Sequence, residues 1–289
     1  MSAISKLEGH IWIGQNPTTL DNLAGKVVLV HFWTFSSVNC RRTLPYIQGW
    51  EEKYTEEDFV VIGIHTPEFE FEQNPKNIEN AIRELGVTWP VLLDREGDIV
   101  YSRLGEGGYK ETEAKIRELL GLQGEGFAGA IDEHIHGESC VTPTPEMYCG
   151  YLRGSIANDL SYAEEVEDAY QAPDVLREGE IALDGAFFSS PEYAESREEG
   201  ATLSVSFHAT RVDVVLGSDK DGANAEILLD DFPLEDDVRG EDVDTESHVA
   251  VKRSGAYNLI QSRKAIDGVL KIRARQGNFR AYVFTFSGD

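Results

Sequence analysis

Cys40 is the residue through which this chain could do chemistry. It closes the stretch Val27 to Cys40, Val-Val-Leu-Val-His-Phe-Trp-Thr-Phe-Ser-Ser-Val-Asn-Cys, which opens as an unbroken apolar run and passes Trp33 into a polar turn. Ser36 or Ser37 can cap a helix there, and Cys40 then falls in the helix's first turn. A sulfur at that place gains from the helix dipole and from free N–H groups, which favour the thiolate, the nucleophilic form of cysteine. One imidazole, that of His31, is a candidate to handle its proton, because histidine titrates near neutrality. His31 lies six residues before Ser37, and His65 closes the next apolar run. His31 reads equally as a strand histidine bonded to a backbone carbonyl.

The elements that must hold these residues follow from periodicity. Val27 to Val30 reads as a strand buried on both faces. From Cys40 the apolar positions Leu44, Ile47 and Tyr54, with Trp50 between, recur at helical spacing, with Pro45 as a kink. Asp58 to His65 is a second buried strand, and Pro75 to Gly86 a helix with a favourable Pro start and a Gly stop. Val91 to Leu93 and Asp98 to Arg103 read as a strand pair across the turn 94–97, and Thr112 to Leu120 as a last helix ending on Gly121. The order is β-α-β-α-β-β-α. Ligand sites in such sheets gather beyond the strand ends, which places His65 near Cys40 and Trp33 beneath the turn.

The segment Phe32-Trp33-Thr34-Phe35-Ser36-Ser37-Val38-Asn39-Cys40-Arg41-Arg42-Thr43-Leu44-Pro45 resembles the active-site segment of thioredoxin-like proteins. The similar subgroup is the TlpA/DipZ-like one, which reads Trp-Thr-x-x-Cys-x-Asn-Cys followed by Arg-Thr-Leu-Pro. The resemblance implies the minimal thioredoxin core, and His65-Thr66-Pro67-Glu68-Phe69 matches the family's strand-end loop. It also implies roles: the attacking cysteine of the family is Ser37 here, and only the second position, Cys40, keeps its sulfur. A hydroxyl cannot attack a disulfide, so the two-cysteine cycle is closed to this chain. His31 holds the place where thioredoxins carry a buried Asp that takes the resolving thiol's proton. Pro90 is the candidate for the cis-proline facing the thiol, although about twenty residues of the family pattern are missing before Gly97. Peroxiredoxins offer a second likeness: their reactive cysteine sits at the position of Cys40, with Thr or Ser three residues earlier and an Arg nearby, as Ser37 and Arg41 supply.

After Leu122 the character changes. Residues 122–141 are glycine-rich and read as a linker between a thioredoxin-like domain at 1–121 and a β domain at 142–289. The segment Thr142 to Gly154 resembles the one that follows the thioredoxin domain in DipZ-like proteins. Eight short runs follow: Glu180–Phe188, Thr202–Phe207, Val212–Leu216, Ala225–Leu229, His248–Val251, Ala256–Ile260, Val269–Ala274 and Arg280–Phe286. They argue an all-β jelly-roll sandwich, similar to the carbohydrate-binding-module-like domain of the same relatives. The expected fold class is therefore an α/β thioredoxin-like fold followed by an all-β jelly-roll sandwich domain.

Charge narrows the partners. The 289 residues carry a net charge of −26, so no basic face is available for nucleic acid or an anionic membrane. The cysteines Cys40, Cys140 and Cys149 are too few for a secreted disulfide scaffold. No basic start leads into an apolar stretch, and no apolar run reaches about 18 residues, so a cytoplasmic location is expected. An extracytoplasmic one follows if the chain is a fragment of a longer exported protein. His134, His136, Glu133 and Cys140 fit no zinc spacing, and Asp230, Asp231 and Glu235 to Asp237 read as solvated acidic loops, so neither metal nor cofactor is expected.

The function expected is thiol–disulfide redox chemistry limited to one thiol. Cys40 would attack an accessible protein disulfide or a peroxide, with Ser37 donating a hydrogen bond to the thiolate, His31 as base, and Trp33, Pro90 and His65 shaping the substrate groove. An external thiol would resolve the product. The alternatives are a catalytically inactive polypeptide-binding module on a thioredoxin frame, and a glycan-binding protein acting through the β domain. Exposed Tyr193, Tyr257, Phe279 and Tyr282 would favour the last. A serine introduced at position 37 as a trap for mixed disulfides is a further reading.

Overall fold

The structure is a computed structural model that describes residues 23–86, 92–93, 99–103, 105–123, 142–159, 161–219 and 221–288. It divides into two compact units, Met1–Ile135 and His136–Asp289.

In the first unit, β1 (Val27–Trp33) is the central strand. It pairs in parallel with β2 (Phe59–His65) over its whole length and antiparallel with β3 (Leu92–Leu93), which pairs with β4 (Ile99–Tyr101). The sheet order is β2-β1-β3-β4. Three helices join the strands: α1 (Val38–Tyr54), α2 (Pro75–Leu85) and α3 (Tyr109–Leu120). This is the β-α-β-α-β-β-α order read from periodicity.

Alternation along β1 sends Val27, Leu29 and Trp33 to the face where Leu44, Ile47, Trp50 and Tyr54 of α1, Ile78 of α2 and Ile116 of α3 complete one core. Val28 and Val30 point the other way, onto Ile62 and Leu23. The helix ends obey local chemistry. Asn74 caps α2 through its side chain, which accepts from Lys76 N, and Gly86 ends it at φ 62°. The last helix begins at Tyr109, three residues before the Thr112 expected. Gly108, at φ 62° and without a capping side chain, starts it, so the usual sequence signal is missing.

In the second unit every strand pairing between named strands is antiparallel. The strands are β5 (Met147–Tyr148), β6 (Glu167–Tyr170), β7 (Ile181–Ser189), β8 (Ala194–Ser196), β9 (Thr202–Ser218), β10 (Ala223–Leu229), β11 (Phe232–Pro233), β12 (His248–Val251), β13 (Gly255–Gln276) and β14 (Phe279–Ser287). They form a branched sheet of ten strands. Tyr170 of β6, at one end of the strand order, and Ile227 of β10, near the other, share one continuous core with Leu203, Val214, Ile272 and Phe284. The sheet must therefore fold over on itself.

Two pairs of expected strands are single strands here. Thr202–Phe207 and Val212–Leu216 lie within β9, and Ala256–Ile260 and Val269–Ala274 within β13. The polar residues between them are carried in the ladder, where Gln261 pairs with Arg211, and a bulge absorbs the residues up to Ile266. Arg211 is fixed by two bonds to the buried Asp213, at 2.7 and 2.8 Å, which also accepts from Asn258 at 3.1 Å.

All four tryptophans, Trp12, Trp33, Trp50 and Trp89, precede residue 136, so tryptophan fluorescence isolates the first unit. Ile47 is 0% exposed at the centre of its core. Ile47→Ala is expected to destabilise that unit by about 2–5 kcal/mol. The check is tryptophan-fluorescence-detected denaturation, which follows that unit.

Candidate functional site

Parallel pairing brings the C-terminal ends of β1 and β2 side by side, with Trp33 opposite His65. Thr66 N donates to Trp33 O at 2.7 Å and closes the two strand ends together. The chain then turns through Thr34, Phe35 and Ser36, all buried, before α1 begins.

Ser37 is the N-cap. Its carbonyl accepts from Arg41 N at 3.1 Å and its Oγ from Cys40 N at 3.4 Å. Because Ser37 Oγ accepts from the backbone, its own hydrogen stays available for a sulfur or a substrate. Cys40 is a free thiol, half-buried in the first turn of α1 and packed against the core that contains Trp33 and Phe35. The helix start favours negative charge there.

Trp33 is 4% exposed and lies edge-on to His65 at 5.1 Å between centroids, while Phe35 stacks on the same imidazole at 5.7 Å. Trp33 therefore packs beneath the turn. Burial lowers the pKa of His65, and the nearby Glu72 carboxylate pulls in the opposite direction. His31 is placed by strand alternation on the Trp33 side of the sheet. Burial pushes its pKa down to about 3. So low a pKa makes the imidazole a poor proton acceptor, which argues against the role of base for Cys40. Pro90, His134, His136 and Cys140 lie outside the described residues.

The residue that sequence reasoning missed is Glu72. It is 0% exposed, in the single 3₁₀ turn Glu70–Gln73 that follows β2. Its Oε1 accepts from Thr34 Oγ1, from Ser36 N at 3.2 Å and from Ser36 Oγ at 2.6 Å. Its Oε2 accepts from Glu68 N at 2.7 Å and Phe69 N at 3.1 Å. The only signal available was an acidic residue just after Phe71 in a chain with 52 acidic residues, which does not single it out.

In the β unit, Cys149 is a free, fully buried thiol whose pKa burial pushes up, so it is inert. Phe279 and Tyr282 are 0% and 4% exposed and belong to the interior, so they form no exposed aromatic row. Asp230 Oδ1 accepts from Val269 N at 2.9 Å and Asp231 pairs with Lys271 at 2.5 Å, as turn-closing contacts. No group of three or more His, Cys, Asp or Glu suited to a metal occurs among the described residues. No described helix is long and apolar enough to cross a membrane.

Comparison with known proteins agrees with this geometry. Residues 13–107 match the Redoxin family, and residues 144–287 match the thioredoxin-like C-terminal domain family. The protein DipZ of Mycobacterium bovis is 30% identical over 235 residues, covering 71% of this chain and 33% of its own length. The chain thus spans about a third of that relative. The thiol-disulfide oxidoreductase YkuV of Bacillus subtilis is 26% identical over 130 residues, 38% of this chain and 87% of that protein. A crystal structure of a thiol-disulfide isomerase from Corynebacterium glutamicum is 20% identical and covers 39% of this chain and 93% of its own, at a TM-score of 0.37. The chain belongs to the thioredoxin-like proteins of the TlpA/DipZ-like type, with a thiol–disulfide-oxidoreductase-like domain ahead of an antiparallel β domain.

The state of His31 has a thermodynamic consequence. Its pKa is about 3 folded against an ordinary 6.5. Between those values the unfolded chain binds the extra proton. The stabilisation is therefore complete above pH 6.5 and is lost as pH falls toward 3, by at most about 1.4 kcal/mol per pH unit. His31→Gln is expected to flatten this part of the acid limb in fluorescence-detected melting. By NMR the His31 ring should show no titration between pH 8 and 4; a midpoint near 6.5 would contradict the assignment.

Proposed function

We propose that this protein is a thiol–disulfide redox protein that works through a single sulfur, Cys40. The observation that carries the reading is the placement of Cys40 in the first turn of α1, directly beyond the end of a buried strand, with Ser37 as its cap. Membership of the thioredoxin-like proteins supports protein thiols and disulfides as substrates.

The chemistry is two exchanges. The Cys40 thiolate attacks one sulfur of an accessible protein disulfide, forming a mixed disulfide and expelling the second sulfur as a thiolate, which takes a proton from water. An external thiol, deprotonated in its turn, then attacks the substrate sulfur of the mixed disulfide. That releases Cys40 as thiolate and leaves the external thiol joined to the substrate. Ser37 contributes the cap and a hydroxyl hydrogen directed at sulfur. With His31 too weak a base to take it, the proton lost by Cys40 goes to solvent. Pro90, His65 and Trp33 remain the residues proposed to shape the substrate groove.

The test is the rate and pH dependence of Cys40 alkylation in a Cys140→Ala, Cys149→Ala background, together with Ser37→Cys assayed for insulin-disulfide reduction. Rapid alkylation of Cys40 in the native protein and insulin reduction by Ser37→Cys are the expected results. A thiol silent until denaturant is added, with no rescue by Ser37→Cys, would overturn the redox reading. A polypeptide-binding frame would then remain.

A further inference from the structure

The two adjacent serines of the active-site turn differ in everything but their side chain. Ser37 is half-buried and caps α1. Ser36 is 0% exposed and turned inward, donating both its N–H and its hydroxyl to Glu72 Oε1. Thr34 Oγ1 donates to the same oxygen. The other oxygen, Oε2, is committed to Glu68 N and Phe69 N, on the loop beyond β2. One buried carboxylate thus ties two segments that no regular ladder joins.

We propose that Glu72 is the positioning residue of the Cys40 turn, and that Ser36 is the structural donor it holds rather than a second vacated redox position. The proposal rests on the reading of Cys40 as the reactive group. Glu72 acts through Ser36: fixing the N–H and the hydroxyl of Ser36 fixes the backbone that delivers Ser37 to its capping position. The cap in turn sets the orientation of Cys40 in the first turn. A carboxylate is suited to this because it offers two acceptor atoms to donors arriving from opposite sides. A glutamine in its place presents an NH₂ to one set of donors, and buried donors left facing a donor are strongly unfavourable. A backbone turn this close to the thiol has no other described side chain holding Ser36.

The roles of Ser36 and Ser37 separate by substitution. A thiol is a weak donor, so a cysteine at position 36 would satisfy Glu72 poorly, while one at 37 would face the helix start. Ser37→Cys should therefore leave the turn ordered, and Ser36→Cys should not.

The experiment measures two things in the full chain: iodoacetamide alkylation of Cys40, in the Cys140→Ala, Cys149→Ala background, and amide hydrogen exchange. Glu72→Gln is the principal variant. Thr34→Val and Ser36→Ala, which each remove one hydroxyl donor, serve if Glu72→Gln fails to fold. The expected result is a change of tenfold or more in the Cys40 alkylation rate, in either direction, with a shifted pH profile. Exchange should rise at least tenfold at residues 34–41 while the interior of α3 keeps its protection. Acceleration spread evenly over the first unit, or Cys40 reactivity within twofold of the parent, would overturn the proposal and leave Glu72 as a general stabiliser. Failure of the redox reading shows separately, as a parent Cys40 that is silent and a Ser37→Cys variant that reduces no insulin. Even then, exchange confined to 34–41 decides whether Glu72 positions the turn.

Discussion

The parallel ladder between β1 and β2 is the constraint on which the rest of the first unit depends. β1 is paired on both sides, and all of its residues from Val27 to Trp33 are in register with Phe59 to His65. A shift by one residue would send Val27 and Leu29 to the opposite face and expel them from the core shared with α1. Because the strands are parallel, their C-terminal ends coincide, and the loops that leave them meet. That meeting puts Trp33 against His65 and delivers the turn of Thr34 to Ser36 next to the loop of Glu68 to Glu72. The site is a product of strand direction before it is a product of any side chain.

Burial then determines which groups can act. Desolvation weakens both imidazoles at the site, His31 to about 3, so neither is a strong base. Glu72 is tolerated in the interior because every hydrogen bond drawn to it comes from a donor. The second unit solves the same problem differently. Asp213 is 2% exposed and is held by Arg211 and Asn258, in the middle of the two long strands. In each unit a buried carboxylate stands where the chain would otherwise lose direction: at the turn before α1, and beside the bulged ladder of β9 and β13.

Much of this was legible in the residues. Val27 to Val30 announces a buried strand because both faces need apolar side chains, whereas Phe59 to Ile64, equally apolar, forms the edge strand β2, in which only Phe59 and Ile62 are buried. Pro75, Gly86 and Gly121 announce helix ends because their backbone chemistry admits little else. What was not legible follows from interactions that are distant in sequence. The stretches Thr210-Arg211 and Gln261 to Ala265 look like turns, since polar residues usually leave a sheet; here Arg211 is kept in it by its neighbour Asp213 and by its partner across the ladder. The start of α3 was hidden because Gly108 begins it by conformation alone. Glu72 was hidden because its meaning lies in donors 36 and 38 residues away, Ser36 and Thr34.

Ser37 sits where a helix cap is required. At an N-cap, serine is among the best residues available, and replacing such a cap with alanine costs about 0.5–2 kcal/mol. The position that the family gives to its attacking sulfur is therefore also the position where a hydroxyl serves the helix best. A hydroxyl at position 37 meets the cap's requirement, with Oγ accepting from Cys40 N. Ser36, one residue earlier, has no such freedom, because its hydroxyl and N–H are both bonded to a carboxylate in the interior. The frame around Cys40 is thus held by two adjacent serines in different ways, one capping the helix and one bonded to the interior.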